Sequence, residues 1–307
     1  MRTSLSKSIG GLLIAGLLTM PNLVRAQPTA HYGPGAEGIK AASLPPPGWY
    51  VRDYNIAYYS DTLNDNHGNK IGAPLDAKAF TYVNLPRIIW ITDQKVLGGF
   101  IGLDALIPLQ YTDLDIQGAG PASIDHHTFG VGDLFAEATW STHLKQFDIS
   151  FGCGVWAPTG DSSGKAPEFP TTMAGQGYWG QMLTAGATWY VDADKKWSVS
   201  ALNRYEFNFG KDDAGMTPGQ AYTVEGGLSY AFTKTIEGGV VGYYQQQVTG
   251  DDGPVQRDHG RVAAIGPEIG IAFPSAMLGV TLRYEYEVLA ESRFQGNTFS
   301  LTLTKRM

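Results

Sequence analysis

The stretch Met277–Leu289, MLGVTLRYEYEVL, decides the fold. Leu278, Val280, Leu282, Tyr284, Tyr286 and Val288 fall on one face, while Gly279, Thr281, Arg283, Glu285 and Glu287 fall on the other. A period of two is the mark of a strand; on a helix the same apolar residues would scatter around the axis. The dyad recurs in Thr298–Lys305, Trp197–Phe209 and Tyr222–Phe232. Weaker versions are Trp49–Ser60, Ala77–Thr92, Leu97–Thr112, Phe129–Thr142, Phe147–Ala157, Tyr178–Val191, Ile236–Thr249 and Arg261–Phe273. The sequence therefore predicts twelve strands.

Their connections alternate in length. Asp93–Val96, Lys145-Gln146, Asp192–Lys196, Thr233–Thr235 and Pro274–Ala276 are tight. Asp61–Asp76, Asp113–Thr128, Pro158–Gly177, Gly210–Ala221, Gly250–Gly260 and Ala290–Asn297 are long and polar. Short turns at one end and long loops at the other is the wiring of an outer-membrane β-barrel. The composition agrees: 17% charged residues, 12% aromatics, 39 glycines and a mean hydropathy of −0.14 fit neither a disordered chain nor a helical membrane protein. The expected fold is all-β, a closed transmembrane antiparallel barrel of about twelve strands in the outer membrane of a Gram-negative bacterium. Residues 1–26 read as a secretory leader, with Arg2 and Lys7 ahead of the apolar run Ile9–Met20 and a small-x-small ending Val24-Arg25-Ala26. Residues 27–48 show no dyad, and residues 49–307 are the barrel. Loss of Arg2, Lys7 and Arg25 with the leader deepens the formal charge of −7, and an acidic exported chain is a poor nucleic-acid binder.

The side of the wall that meets lipid follows from the other side's composition. Arg87, Glu137, Arg204, Glu206, Glu225, Glu237, Glu268, Arg283, Glu285 and Glu287, with Asp104 and Asp148, share the polar phase, which almost lacks lysine. Such a face suits a confined wet lumen, so the apolar face points outward to hydrocarbon, framed by Trp49, Trp90, Trp140, Trp179, Trp189 and Trp197 near strand ends. Pairing of Arg204 with Glu206 and Glu225, and of Arg283 with Glu268 and Glu285, is expected, because buried charge needs a partner. This network is read either as bracing or as a solute path. Inward aromatic residues Phe135, Trp156 and Tyr243 offer a track for apolar solutes.

Short motifs run the length of the chain: His31-Tyr32-Gly33-Pro34-Gly35, Gly38-Ile39 and Leu44-Pro45-Pro46-Pro47-Gly48 ahead of the first strand. Further on come Leu97-Gly98, Gly130-Val131-Gly132-Asp133, Trp156-Ala157-Pro158-Thr159-Gly160, Tyr178-Trp179, Val248-Thr249-Gly250-Asp251 and Ala264-Ile265-Gly266-Pro267. In this order they resemble the outer-membrane proteins of the meta-pathway of phenol degradation family. The resemblance implies an outer-membrane barrel that takes up small hydrophobic or aromatic compounds. Such barrels usually end in an aromatic residue read by the barrel assembly machinery; here Met307 stands in phase with Phe299, Leu301 and Leu303.

Residues 27–48 admit two readings: a periplasmic tail, or a plug folded into the lumen with His31, Tyr32 and Pro34 at its tip and Pro45, Pro46 and Pro47 stiffening its base. Neither a G-x-S-x-G nor an H-E-x-x-H motif is present, so no enzyme, cofactor or metal centre is expected. Asp125-His126-His127 with Asp113 and Asp115 reads as polar loop chemistry before a metal site. The expected partners are outer-membrane lipids, the assembly machinery and small apolar solutes. The alternative function is a non-transporting structural or adhesive barrel whose long loops bind other molecules.

Overall fold

A computed structural model describes residues 30–118, 123–162, 174–210, 215–253 and 259–307; the leader lies outside the described residues. Among them are fourteen β-segments: β1 (Gly48–Ser60), β2 (Asp76–Val96), β3 (Gly99–Leu106), β4 (Leu109–Gln117), β5 (Ile124–Val131), β6 (Leu134–His143), β7 (Phe147–Ala157) and β8 (Trp179–Tyr190), followed by β9 (Trp197–Phe209), β10 (Ala221–Ala231), β11 (Ile236–Gln247), β12 (Arg261–Phe273), β13 (Leu278–Glu291) and β14 (Asn297–Arg306). They form twelve staves. β2 pairs along its length first with β4 and then with β3, which are two halves of one strand. β5 and β6 form the next stave in the same way. All pairings are antiparallel between neighbours, and β1 pairs with both β2 and β14, closing the cylinder. Closure removes the open sheet edge along the body of the barrel; only β5, at the long-loop end, keeps a side without a ladder partner among the described residues.

The two interruptions lie side by side. Pro108 has no N–H for the ladder, and its carbonyl instead accepts from Gly132 N at 2.7 Å. Two expected boundaries move. The first tight turn is Leu97-Gly98, both at positive φ (51° and 81°), a two-residue hairpin. The second long loop is mostly strand, because β4 runs to Gln117 and β5 starts at Ile124. There Asp113 lies opposite His127 and Asp115 opposite Asp125 across the ladder, and no metal-holding cluster occurs among the described residues.

The barrel is apolar outside and polar inside. On β13, Leu282, Tyr286 and Val288 are 52%, 47% and 57% exposed, while Glu285 and Glu287 are each 1% exposed. Outward aromatics pair near the tight-turn end, with exposed Trp49 and Trp90 stacked at 5.2 Å and exposed Trp197 against half-buried Tyr230 at 4.8 Å. One outer patch breaks the pattern. Asp53 and Asn55 on β1 and Asn84 on β2 share the outward phase, where Asn84 Nδ2 donates to Asp53 Oδ1 at 2.7 Å and Asn55 Nδ2 to Asp53 Oδ2 at 2.9 Å. At the long-loop end, residues 61–75 fold over the rim. Leu63 is buried there with Ala77, Ala79, Leu114 and Ile116, against Ile71, Leu75 and Phe294.

Candidate functional site

Residues 30–47 enter from the tight-turn end and run up inside the barrel. At the base, the Pro46 carbonyl accepts from Tyr50 Oη at 2.8 Å and the Pro47 carbonyl from Arg306 at 3.2 Å, so the prolines sit at the entrance; Pro45 precedes them. Higher up, Ser43 Oγ donates to Asp148 at 2.7 Å and Lys40 Nζ to Glu237 at 2.6 Å, and Ile39 N donates to Glu268 at 3.1 Å. Glu225 is the main anchor: it accepts from Tyr32 Oη at 2.5 Å, Gly35 N at 3.1 Å and Glu37 N at 3.3 Å, and pairs with Arg204. Two glycines permit this approach. Gly35 has φ +84°, and a Cβ there would lie 2.7 Å from Glu285; at Gly38 it would lie 2.0 Å from Glu268.

His31 is the upper end of this run. Its ring stacks on Trp156 at 5.3 Å and meets Tyr178 edge-on at 4.4 Å. Nδ1 lies 2.7 Å from Glu206 and Nε2 3.4 Å from Asp133. Burial opposes a charged ring, but the two carboxylates outweigh it and push the His31 pKa up to about 9. At neutral pH the ring is therefore an imidazolium. Asp133 also accepts from Gly160 N at 2.9 Å and Gln176 N at 2.6 Å. The motifs that contain His31, Asp133, Trp156, Gly160 and Tyr178 thus meet at one point, although they lie far apart in the chain.

Glu37 holds the opposite wall. It accepts from Tyr54 Oη at 2.6 Å and pairs with Arg52 at 3.1 Å and Arg87 at 3.5 Å. Burial works against its ionisation, yet Arg52, Arg87 and Arg204 outweigh it and hold its pKa below the usual carboxylate value. Arg87 also meets Asp104 at 2.9 Å and Glu137 at 3.4 Å. Arg283 pairs with Glu268 at 2.5 Å and donates to the Gly35 carbonyl. Glu287 accepts from Tyr58 at 2.9 Å and Tyr243 at 3.1 Å, whereas both oxygens of buried Glu285 lack a hydrogen-bond donor among the described residues. Glu206 is tied to His31 and Tyr32 N and forms no pair with Arg204. Period-two reading missed Glu37, Asp133, Arg52 and Tyr54: the first two lie outside regular strand, and the strand of the others was phased weakly.

Between residues 30–37 and the wall of β1–β4 lies a cavity of about 380 Å³. On the β1–β4 side Ile56, Val83, Leu85 and Leu106 alternate with Tyr58, Thr81, Arg87 and Gln110; Gln245 and Glu287 line the β11–β13 side.

A family model described as "Putative MetA-pathway of phenol degradation" matches residues 60–303. The chain belongs to this family. Its fold is shared with the COG4313 outer membrane channel from Pseudomonas putida F1, at 16% identity and a TM-score of 0.74 over 90% of this chain and 100% of that one. Weaker similarity links it to the β domain of the Bordetella autotransporter BrkA (10% identity, TM-score 0.49, 85% and 99% covered). The TodX ΔS2S3 monoaromatic hydrocarbon channel is at a comparable level (8% identity, TM-score 0.47, 92% and 96% covered). No curated protein matches the sequence. This member of the phenol-degradation family is an outer-membrane β-barrel.

Proposed function

We propose that this barrel is an outer-membrane channel for small hydrophobic or aromatic compounds, with residues 27–48 acting as a plug. One observation carries the reading: residues 30–47 occupy the lumen through ties to Glu206, Glu225, Glu237 and Glu268, yet a cavity lined in part by Ile56, Val83, Leu85 and Leu106 stays open beside them. A pore for hydrophilic solutes needs a continuous polar path, whereas ligand sites for apolar molecules are enclosed, largely apolar and of this size. Buried ion pairs on the remaining wall fix the register of the segment and contribute little to net stability. Uptake of labelled phenol by cells with and without the protein tests the proposal. Faster uptake is expected with it, and equal rates would leave the adhesive-barrel alternative.

A further inference from the structure

Every carboxylate that lines the cavity is already satisfied. Glu37 is held by Arg52, Arg87 and Tyr54. Asp133 is held by His31 and two backbone N–H groups. Glu287 accepts from Tyr58, Tyr243 and Gly296 N, the last at 2.6 Å. The cations on the wall are matched with one exception: Arg87 pairs with Asp104, Arg204 with Glu225 and His31 with Glu206. The exception is Arg293. Among the described residues its guanidinium makes no hydrogen bond and no ion pair, and its Nε is buried without a partner.

Arg293 is also held in place. It lies in the β13–β14 connection, which is pinned to the folded first loop: Asn64 N donates to the Arg293 carbonyl at 3.0 Å, Ser292 N to Asp65 O at 2.8 Å and Gln295 N to Thr62 O at 2.9 Å. Beside it, Phe294 packs into the apolar cluster with Leu63. The backbone of this rim is therefore fixed while its positive side chain lines a cavity whose carboxylates already have hydrogen-bond donors. An unmatched guanidinium at a partly dry wall is a fork awaiting a planar anion, because a bidentate carboxylate satisfies two N–H groups at once.

We propose that the cavity is a binding site for a small amphiphile with a carboxylate head, an aromatic or short aliphatic acid. Its head group sits on Arg293 and its apolar body lies against Ile56 and Val83, which face each other across β1 and β2. The proposal refines the channel reading above and, as a statement about substrates, rests on it. The polarity it assigns is local: of the charged groups lining this chamber, Arg293 is the one whose guanidinium has no hydrogen-bond or ion-pair partner among the described residues.

The test is calorimetric titration of the full-length protein in nanodiscs with benzoate, phenol and benzylammonium. The unsubstituted protein is expected to bind benzoate more tightly than phenol and phenol more tightly than benzylammonium. Arg293→Gln should weaken benzoate by about 10- to 100-fold, the weight of hydrogen bonds to a charged group, and leave phenol unchanged. Arg293→Lys should fall between, since it keeps the charge but loses the fork. Heat-dependent gel mobility reports on folding of both variants. Benzoate affinity that ignores Arg293→Gln, or benzylammonium binding ahead of benzoate, overturns the proposal. Arg293-dependent benzoate binding in a barrel that fails to accelerate phenol uptake would keep this site and remove the channel reading; phenol uptake with Arg293-independent benzoate binding would do the reverse.

Discussion

The two sides of the lumen treat residues 30–47 differently. Strands β9 to β13 grip it: Glu206, Glu225, Glu237, Glu268 and Arg283 each reach a backbone or side-chain group between residues 31 and 40. Strands β1 to β4 touch it mainly through Arg52, Tyr54 and Arg87 on Glu37, and otherwise stand back behind aliphatic side chains and a cavity. One wall holds the segment at many points; the other holds it at Glu37 and leaves space lined in part by apolar side chains. On the proposed reading, occlusion and passage draw on different residues and can be altered separately.

The largest change should come from removing the gripped element. Deletion of residues 27–48 is expected to raise single-channel conductance in planar bilayers severalfold; unchanged current would mean that the segment does not limit the pore. Next is Glu225→Ala, which frees Tyr32, Gly35 and Glu37 and leaves Arg204 buried without its partner. Breaking one partner of a buried pair costs about 3–5 kcal/mol, so frequent openings to a higher conductance level are expected.

A smaller, pH-dependent effect belongs to His31. Docking raises its pKa from 6.5 to about 9, so the docked segment retains a proton that the free segment gives up. The tie is complete below pH 6.5, fades as the pH rises and is lost above about 9, with a worth of about 3 kcal/mol at most. Conductance should therefore increase from pH 7 to 10, and His31→Gln should flatten that dependence. The opposite wall gives the smallest effect. Leu85→Asn places an unsatisfied amide on the aliphatic surface at a cost of about 1–3 kcal/mol to an apolar solute. Phenol uptake should slow while conductance and its pH profile stay as they are. If both walls changed the same property, the division between them would be wrong.

The legible part of this molecule was its wall. Met277–Leu289 announced strand β13 and both of its faces, and the inward phase of Arg204, Glu225, Glu268 and Arg283 could be read without any knowledge of contacts. Partner choice could not. Glu206 has the same phase as Glu225, yet it binds His31 and not Arg204, because His31 and Tyr32 N lie against its carboxylate. Glu37 and Asp133 had no period to betray them, and the outward Asp53, Asn55 and Asn84 run against the rule that governs their neighbours.

The sequence by itself determined the strands, their faces and the closed barrel, since alternation of side chains is a local property of an extended backbone and lipid enforces closure on every strand alike. Only the tertiary structure decided where residues 30–47 lie, which acids they occupy and that Arg293 is left over. An aperiodic segment takes its path from the cavity that receives it, and a charge is free or spent only in relation to groups hundreds of residues away.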